Sequence, residues 1–178
     1  MLSGRTLSEA KTGGVGGFSI TKTGTLRSVT LAGFEIPDVP VSFHTENVKG
    51  AFDTRRQAGN LGAGLLNRFR VLFDYGNDKL WLEPGPLPGF TAPLPRDRSG
   101  LQFELDGVEL VVVFVAPGSP AKEAGWVEGE RVRALDGESV GPDWWRIVAG
   151  WMSAPDGTMA RLTLADGRDR TLRLRAYY

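Results

Sequence analysis

Apolar and polar residues alternate with a period of two over much of this chain. Phe18-Ser-Ile-Thr21 and Val39-Pro-Val-Ser-Phe43 alternate cleanly, and Leu26-Arg-Ser-Val-Thr-Leu31 does so imperfectly. Such spacing predicts half-buried strands, with Ala32-Gly33 as a turn between the second and third. Arg70 to Leu82 predicts a hairpin turning at Gly76-Asn77-Asp78. Before it, Leu65, Leu66 and Phe69 suit one face of a single short helix. Further along, strands are predicted near 101–105, 109–115 and 131–135. A helix is predicted near 142–152, with Pro142 at its first position and Asp143 in its first turn. Two more alternating strands flank Asp166-Gly167 between Arg161 and Arg175. The pattern is that of a mainly β protein.

The clearest break in the pattern is Pro84-Gly-Pro-Leu-Pro-Gly-Phe-Thr-Ala-Pro-Leu-Pro95, with five prolines in twelve residues. Proline lacks the N–H that a sheet or helix needs, so this stretch reads as a semi-rigid, extended connector. It divides the chain into a first unit (1–84), a linker (85–96) and a second unit (97–178). Units of that size bury a modest fraction of their surface and are marginally stable alone.

Composition narrows the function classes. Over 178 residues the basic and acidic side chains balance to a formal net charge of zero, so no global field favours nucleic acid or anionic membrane. With no cysteine and one histidine, thiolate zinc sites, cysteine catalysis and a serine triad are improbable. The longest apolar run, Leu110-Val-Val-Val-Phe-Val-Ala116, is far short of the roughly 20 residues that span a bilayer. No metal, nucleic acid or small-molecule cofactor is expected.

The second unit carries the most specific signal. Ser99-Gly100-Leu101-Gln102-Phe103 is a glycine-opened loop running into a strand. A Pro/Gly turn and short helix follow in Ala116-Pro-Gly-Ser-Pro-Ala-Lys-Glu-Ala-Gly-Trp126, then Val-Glu-Gly-Glu130, a strand, and Leu135-Asp-Gly137. This order resembles a bacterial PDZ domain over about 80 residues. The resemblance implies a β-sandwich or partly open barrel with two helices that binds peptide or protein C-termini. The loop's amides would receive a carboxylate, and the peptide would run antiparallel to Leu101–Leu105. The helix near 142–152 would form the opposite wall. On it Trp145, Ala149 and Met152 share one face, and Trp144, Val148 and Trp151 the neighbouring one. One stripe faces the core and the other the groove, and Trp145 and Ala149 are placed in the groove. The expected peptide-binding residues are thus Gly100, Leu101, Gln102, Phe103, Trp145 and Ala149. Glu130 and Gln102 depart from the family pattern, which usually carries Asp and a small residue there.

The first unit carries a second resemblance. Gly50-Ala-Phe-Asp-Thr-Arg-Arg-Gln-Ala-Gly-Asn-Leu-Gly-Ala-Gly-Leu-Leu-Asn-Arg-Phe-Arg-Val-Leu-Phe-Asp-Tyr75, closed by Lys79-Leu-Trp-Leu-Glu-Pro84, resembles the C-terminal part of bacterial retropepsin-like aspartyl proteases. Gly13-Gly-Val-Gly-Gly17 fits the glycine-rich approach to a strand midway through such domains. A PDZ domain often follows in that family, and the match covers about residues 12–84. The chemistry of that family needs Asp-Thr-Gly or Asp-Ser-Gly on a tight turn, where paired carboxylates share a proton and activate water. Neither tripeptide occurs in the chain. Asp53-Thr54-Arg55 comes nearest, but Arg55 stands where the turn needs glycine, so Asp53 is a weak catalytic candidate. The family order places the catalytic aspartate upstream of Gly13, and the expectation is that this chain starts after that turn.

Other signals carry less. Gly13–Gly17 lacks the Lys-Ser/Thr of a phosphate loop, and strands follow it. His44 alternates outward, away from Val41 and Phe43, as a solvated strand residue. Asp74 reads as a strand-end hydrogen-bonding group. Arg161, Arg168, Arg170, Arg173 and Arg175 read as the wet face of strands. Residues before Gly13 read either as disordered or as pairing with another copy, so a homodimer is left open. Two functions stand: a peptide-binding piece of an aspartic endopeptidase, inactive by itself, or a non-catalytic adaptor or sensor on a protease-like scaffold. A place in the cell envelope or periplasm is implied only by the resemblance.

Overall fold

The computed structural model describes residues 6–14, 17–43, 59–86 and 90–178, and these form a mainly β structure. Asp53 and His44 lie outside the described residues. Strands β1 (Ser8–Gly14), β2 (Gly17–Leu31) and β3 (Phe34–Phe43) make an antiparallel sheet in that order. The two strands expected within 18–31 are one continuous strand, since Thr23 and Thr25 between them suit an extended backbone. The turn at Ala32-Gly33 is present, and both residues have positive φ, as a tight hairpin between Leu31 and Phe34 requires. The alternation at Phe18 and Ile20 does not mark a buried face. Both side chains are exposed, and Thr21 and Thr23 on the other face are buried instead. Thr21 offsets its burial by donating to the Ala10 carbonyl at 3.3 Å.

The helix expected around Leu65 is a single turn, α1 (Ala63–Leu66). Phe69 does not extend it but opens β4 (Phe69–Asp74), which pairs with β5 (Lys79–Pro84). The helix stops because the Arg68 carbonyl accepts Gly85 N–H at 2.7 Å, committing the chain to the hairpin. Asp74 closes its turn by accepting from Asn77 N at 3.2 Å and from the Asn77 amide at 2.8 Å, as expected of a strand-end residue. Ile36, Val39, Leu65 and Phe69 form the core here. Phe90, from the proline-rich stretch, meets both Phe34 and Phe69 edge-on at 5.4 Å.

That stretch is therefore not a free spacer. Arg68, almost wholly buried, donates to the Phe90 and Ala92 carbonyls, and Leu94 packs on the same core. Beyond it, Arg96 N donates to the Met152 carbonyl at 3.1 Å. The connector is thus fastened to elements on both sides of it.

The second sheet contains β6 (Leu101–Asp106), β7 (Glu109–Val115), β8 (Arg131–Leu135), β9 (Glu138–Ser139), β10 (Met159–Leu164) and β11 (Asp169–Arg173). Its order is β11-β10-β8-β7-β6, with β9 on β8. Two short helices complete it, α2 (Pro120–Glu123) and α3 (Trp145–Ser153). Helix α3 starts after Pro142 and Asp143, which sit in a preceding turn. There Trp144 N donates to Gly141 O and Arg146 N to Asp143 O, a three-residue spacing too tight for an α-helix.

A bulge explains how one strand serves two cores. Gln102 pairs with Phe114 and Phe103 with Val112, leaving Val113 as the extra residue. An inserted residue reverses which face the following side chains take. Leu110 and Val112 thus join the main core with Leu101, Phe103, Val132, Leu135, Leu162 and Trp151. Phe114 and Ala116 turn to the opposite face and pack with Tyr177. A similar shift between β8 and β10 lets Val132 and Leu135, three apart, both reach the main core.

Leu162 has no solvent exposure at the centre of that core. Leu162→Ala is expected to destabilise the protein by about 2–5 kcal/mol, read from the midpoint of urea unfolding followed by near-ultraviolet circular dichroism. A loss below about 1 kcal/mol would contradict this packing.

Candidate functional site

Strand β6 is the end strand of its sheet, so one side of its backbone is not paired within that sheet. Leu101 and Phe103 project into the core and are buried, whereas the strand's far end, Glu104 to Asp106, is exposed. Facing β6 stands α3. The residue that meets the strand is Trp144, at the helix N-terminus, whose ring lies edge-on to Phe103 with centroids 6.1 Å apart. Val148, one turn on, also packs against the core, and Trp151 is buried. Trp151 Nε1 donates to Asp136 Oδ2 at 2.7 Å, and Asp136 and Gly137 both take positive φ in the expected turn after Leu135.

The helix stripes divide with Trp144, Val148 and Trp151 packed on the core. Trp145 and Ala149 are exposed; the Trp145 ring carries Arg146 over its face at 5.5 Å. A rotation of about 100° per residue separates that stripe from the one holding Trp144. Sequence reasoning set this helix opposite β6 and did not single out Trp144 and Val148. Their only sequence signal was membership of the stripe that also carries the buried Trp151.

The loop before β6 depends on Gly100, which has φ +78°, and a Cβ there would lie 2.1 Å from Ser119 Cβ and Oγ. Only glycine fits both constraints. Ser119 in turn caps α2, its hydroxyl accepting from Lys122 N at 3.2 Å, with Pro120 at the first helical position. Gln102 does not face α3. Its side-chain oxygen accepts the backbone N–H of Lys11 in β1 at 3.0 Å, and Ser8 Oγ donates to the Pro117 carbonyl at 2.7 Å. The loop is thus held from behind by the first sheet.

Asp97 holds the loop from within. Its Oδ1 accepts from Ser99 N and Ser99 Oγ, both at 2.9 Å, and from Gly100 N at 3.0 Å. Its Oδ2 accepts from the Tyr177 hydroxyl at 2.7 Å. The Asp97 N–H donates to the Tyr178 hydroxyl at 3.3 Å, and the Tyr178 carbonyl accepts from Thr25 of β2 at 3.1 Å. Burial, together with the neighbouring Asp97 charge, pushes the hydroxyl ionisation of both Tyr177 and Tyr178 upward.

Glu130 is accommodated without loss of function as a cap. It accepts Val127 N at 2.9 Å and pairs with Arg170 at 2.6 Å. Arg170 also stacks 4.0 Å from the centroid of the buried Trp126, a contact of about 1–2 kcal/mol when desolvated. Arg170 is therefore a structural residue and not part of a wet face.

No group of metal-ligating side chains occurs among the described residues. Among the same residues no helix is long and apolar enough to cross a membrane. No protein-family model matches the chain, and no curated protein matches it.

Two outcomes follow from this geometry. Gly100→Ala is expected to destabilise the fold by about 2 kcal/mol or more through backbone strain and the Ser119 clash; adding Ser119→Gly should recover the clash and leave the strain. Full stability of Gly100→Ala in urea unfolding would contradict the close approach. For Tyr177 and Tyr178 the folded-state values lie above the unfolded value of about 10, so their stabilisation is fully present below pH 10 and lost as pH rises above it. For Tyr177 the slope is expected to approach about 1.4 kcal/mol per pH unit above pH 10. Tyr177→Phe should remove one such contribution between pH 10 and 11, and an unchanged slope would contradict a buried, protonated Tyr177.

Proposed function

We propose that residues 97–178 form a PDZ-like module that captures extended peptides between β6 and α3. The first unit is read as retropepsin-like, following the glycine-flanked Leu65-Leu66 turn and the β4–β5 hairpin ending in Phe-Asp-Tyr75 and Glu-Pro84. On this reading the chain binds peptides and does not cleave them, because no Asp-Thr-Gly or Asp-Ser-Gly is present. A larger protein of which it is part would be an aspartic endopeptidase. No observation favours the adaptor reading over this one.

The observation that carries the reading is the pairing of an end strand with a helix whose apolar stripe faces it. An added strand completes the sheet's hydrogen bonds along β6, and an apolar peptide side chain fits beside Phe103, Trp144 and Val148. The cost of ordering a flexible peptide limits such sites to modest affinity, with micromolar binding corresponding to about −8 kcal/mol.

The test is fluorescence anisotropy of short labelled peptides drawn from a displayed library. Trp144→Ala is expected to weaken the best binders about tenfold or more, as for a buried aromatic anchor. Trp145→Ala, on the exposed stripe, should have a smaller effect. Binding untouched by Trp144→Ala, in protein shown to be folded by its circular dichroism, would count against the β6–α3 groove.

A further inference from the structure

We propose that Asp97 makes the groove indifferent to the end of the peptide, so that it takes internal segments of extended chains as well as C-termini. This rests on the peptide-binding reading above. A loop can read a terminal carboxylate only through amides that point at it and lack other partners. Here the amides of Ser99 and Gly100 donate to the Asp97 carboxylate at 2.9 and 3.0 Å. The next amide, Leu101 N, donates to Ser99 Oγ at 3.1 Å, and that hydroxyl itself donates to Asp97. Two consecutive amides thus converge on a carboxylate that the chain supplies, and the third is taken by a hydroxyl bound to that carboxylate.

The arrangement is fixed from three sides. Tyr177 donates its hydroxyl to the second oxygen of Asp97, and the buried Ser99 cannot rotate away without leaving polar atoms unpaired. Gly100 is pressed against Ser119. A peptide carboxylate arriving here meets occupied donors and a like charge beside it, and both effects oppose its binding. Pairing along the rest of β6 is unaffected, because it uses backbone groups that every internal residue also carries. Selection then falls to the side chain placed against Phe103 and Trp144.

The experiment compares library peptides, each made with a free C-terminal carboxylate and with a carboxamide, against the full chain. In the wild type the paired affinities are expected to agree within about fivefold, the span of an exposed charge interaction. Asp97→Ala frees the Ser99 and Gly100 amides and removes the charge, and should favour the carboxylate form by about tenfold or more. Asp97→Asn keeps an acceptor but drops the charge; it should shift the ratio the same way by less, and serves if the alanine variant melts below the assay temperature. A wild-type loss above tenfold on amidation would overturn the inference and leave the peptide-binding reading standing. An unchanged ratio in both variants would overturn it too. Failure of both peptide forms to bind would overturn the peptide-binding reading and this inference with it.

Discussion

One carboxylate ties the loop that opens β6 to the far end of the chain. Asp97, at the end of the proline-rich stretch, accepts from the loop that opens β6 and from Tyr177 near the chain's other end. Without that anchor, Ser99, buried with its hydroxyl turned to Asp97, would hold unpaired polar atoms at a cost of about 1–3 kcal/mol each. The loop's position also sets where β6 begins, and so where the sheet ends. The contacts from β1 to Gln102 and Pro117 and from Thr25 to Tyr178 brace the same region from the first sheet. Each of these contacts presupposes a loop held in one conformation.

The two bulges matter because they let a small sheet use both faces. Val113 is the extra residue that sends Phe114 toward Tyr177 while Val112 remains in the main core. The aromatic pair at the chain's end then covers the back of β7, and the front is left to α3. On the proposed function, the outer side of β6 beside Trp144 is the face on which an extended segment pairs. Elsewhere apolar side chains are exposed as well, among them Phe18, Phe73, Tyr75 and Trp81.

Most of the second sheet was legible from sequence. Alternation located its strands, and the Ser-Pro and Asp-Gly pairs located a helix cap and a turn, because local backbone chemistry decides those features. What was not legible was tertiary. A helix stripe follows from periodicity, but which of two adjacent stripes packs on the core depends on the helix's rotation, and the structure packs Trp144 there and leaves Trp145 exposed. The role of Asp97 was equally hidden. It is one of many surface-type carboxylates in the sequence, and its partners lie 2, 3 and 80 positions away. Phe18 and Ile20 misled for another reason: alternation reports a two-faced strand without saying which face is covered. The connector's proline content gave no hint of the buried Arg68 that fastens it.

The account depends most on peptide pairing along β6. Amide hydrogen exchange measured with and without a saturating library peptide addresses it directly. The account predicts slowed exchange within Leu101–Asp106, with little change in β11 at the sheet's other end. Protection confined to β4 and β5, or spread over the whole protein with no emphasis on β6, would contradict it.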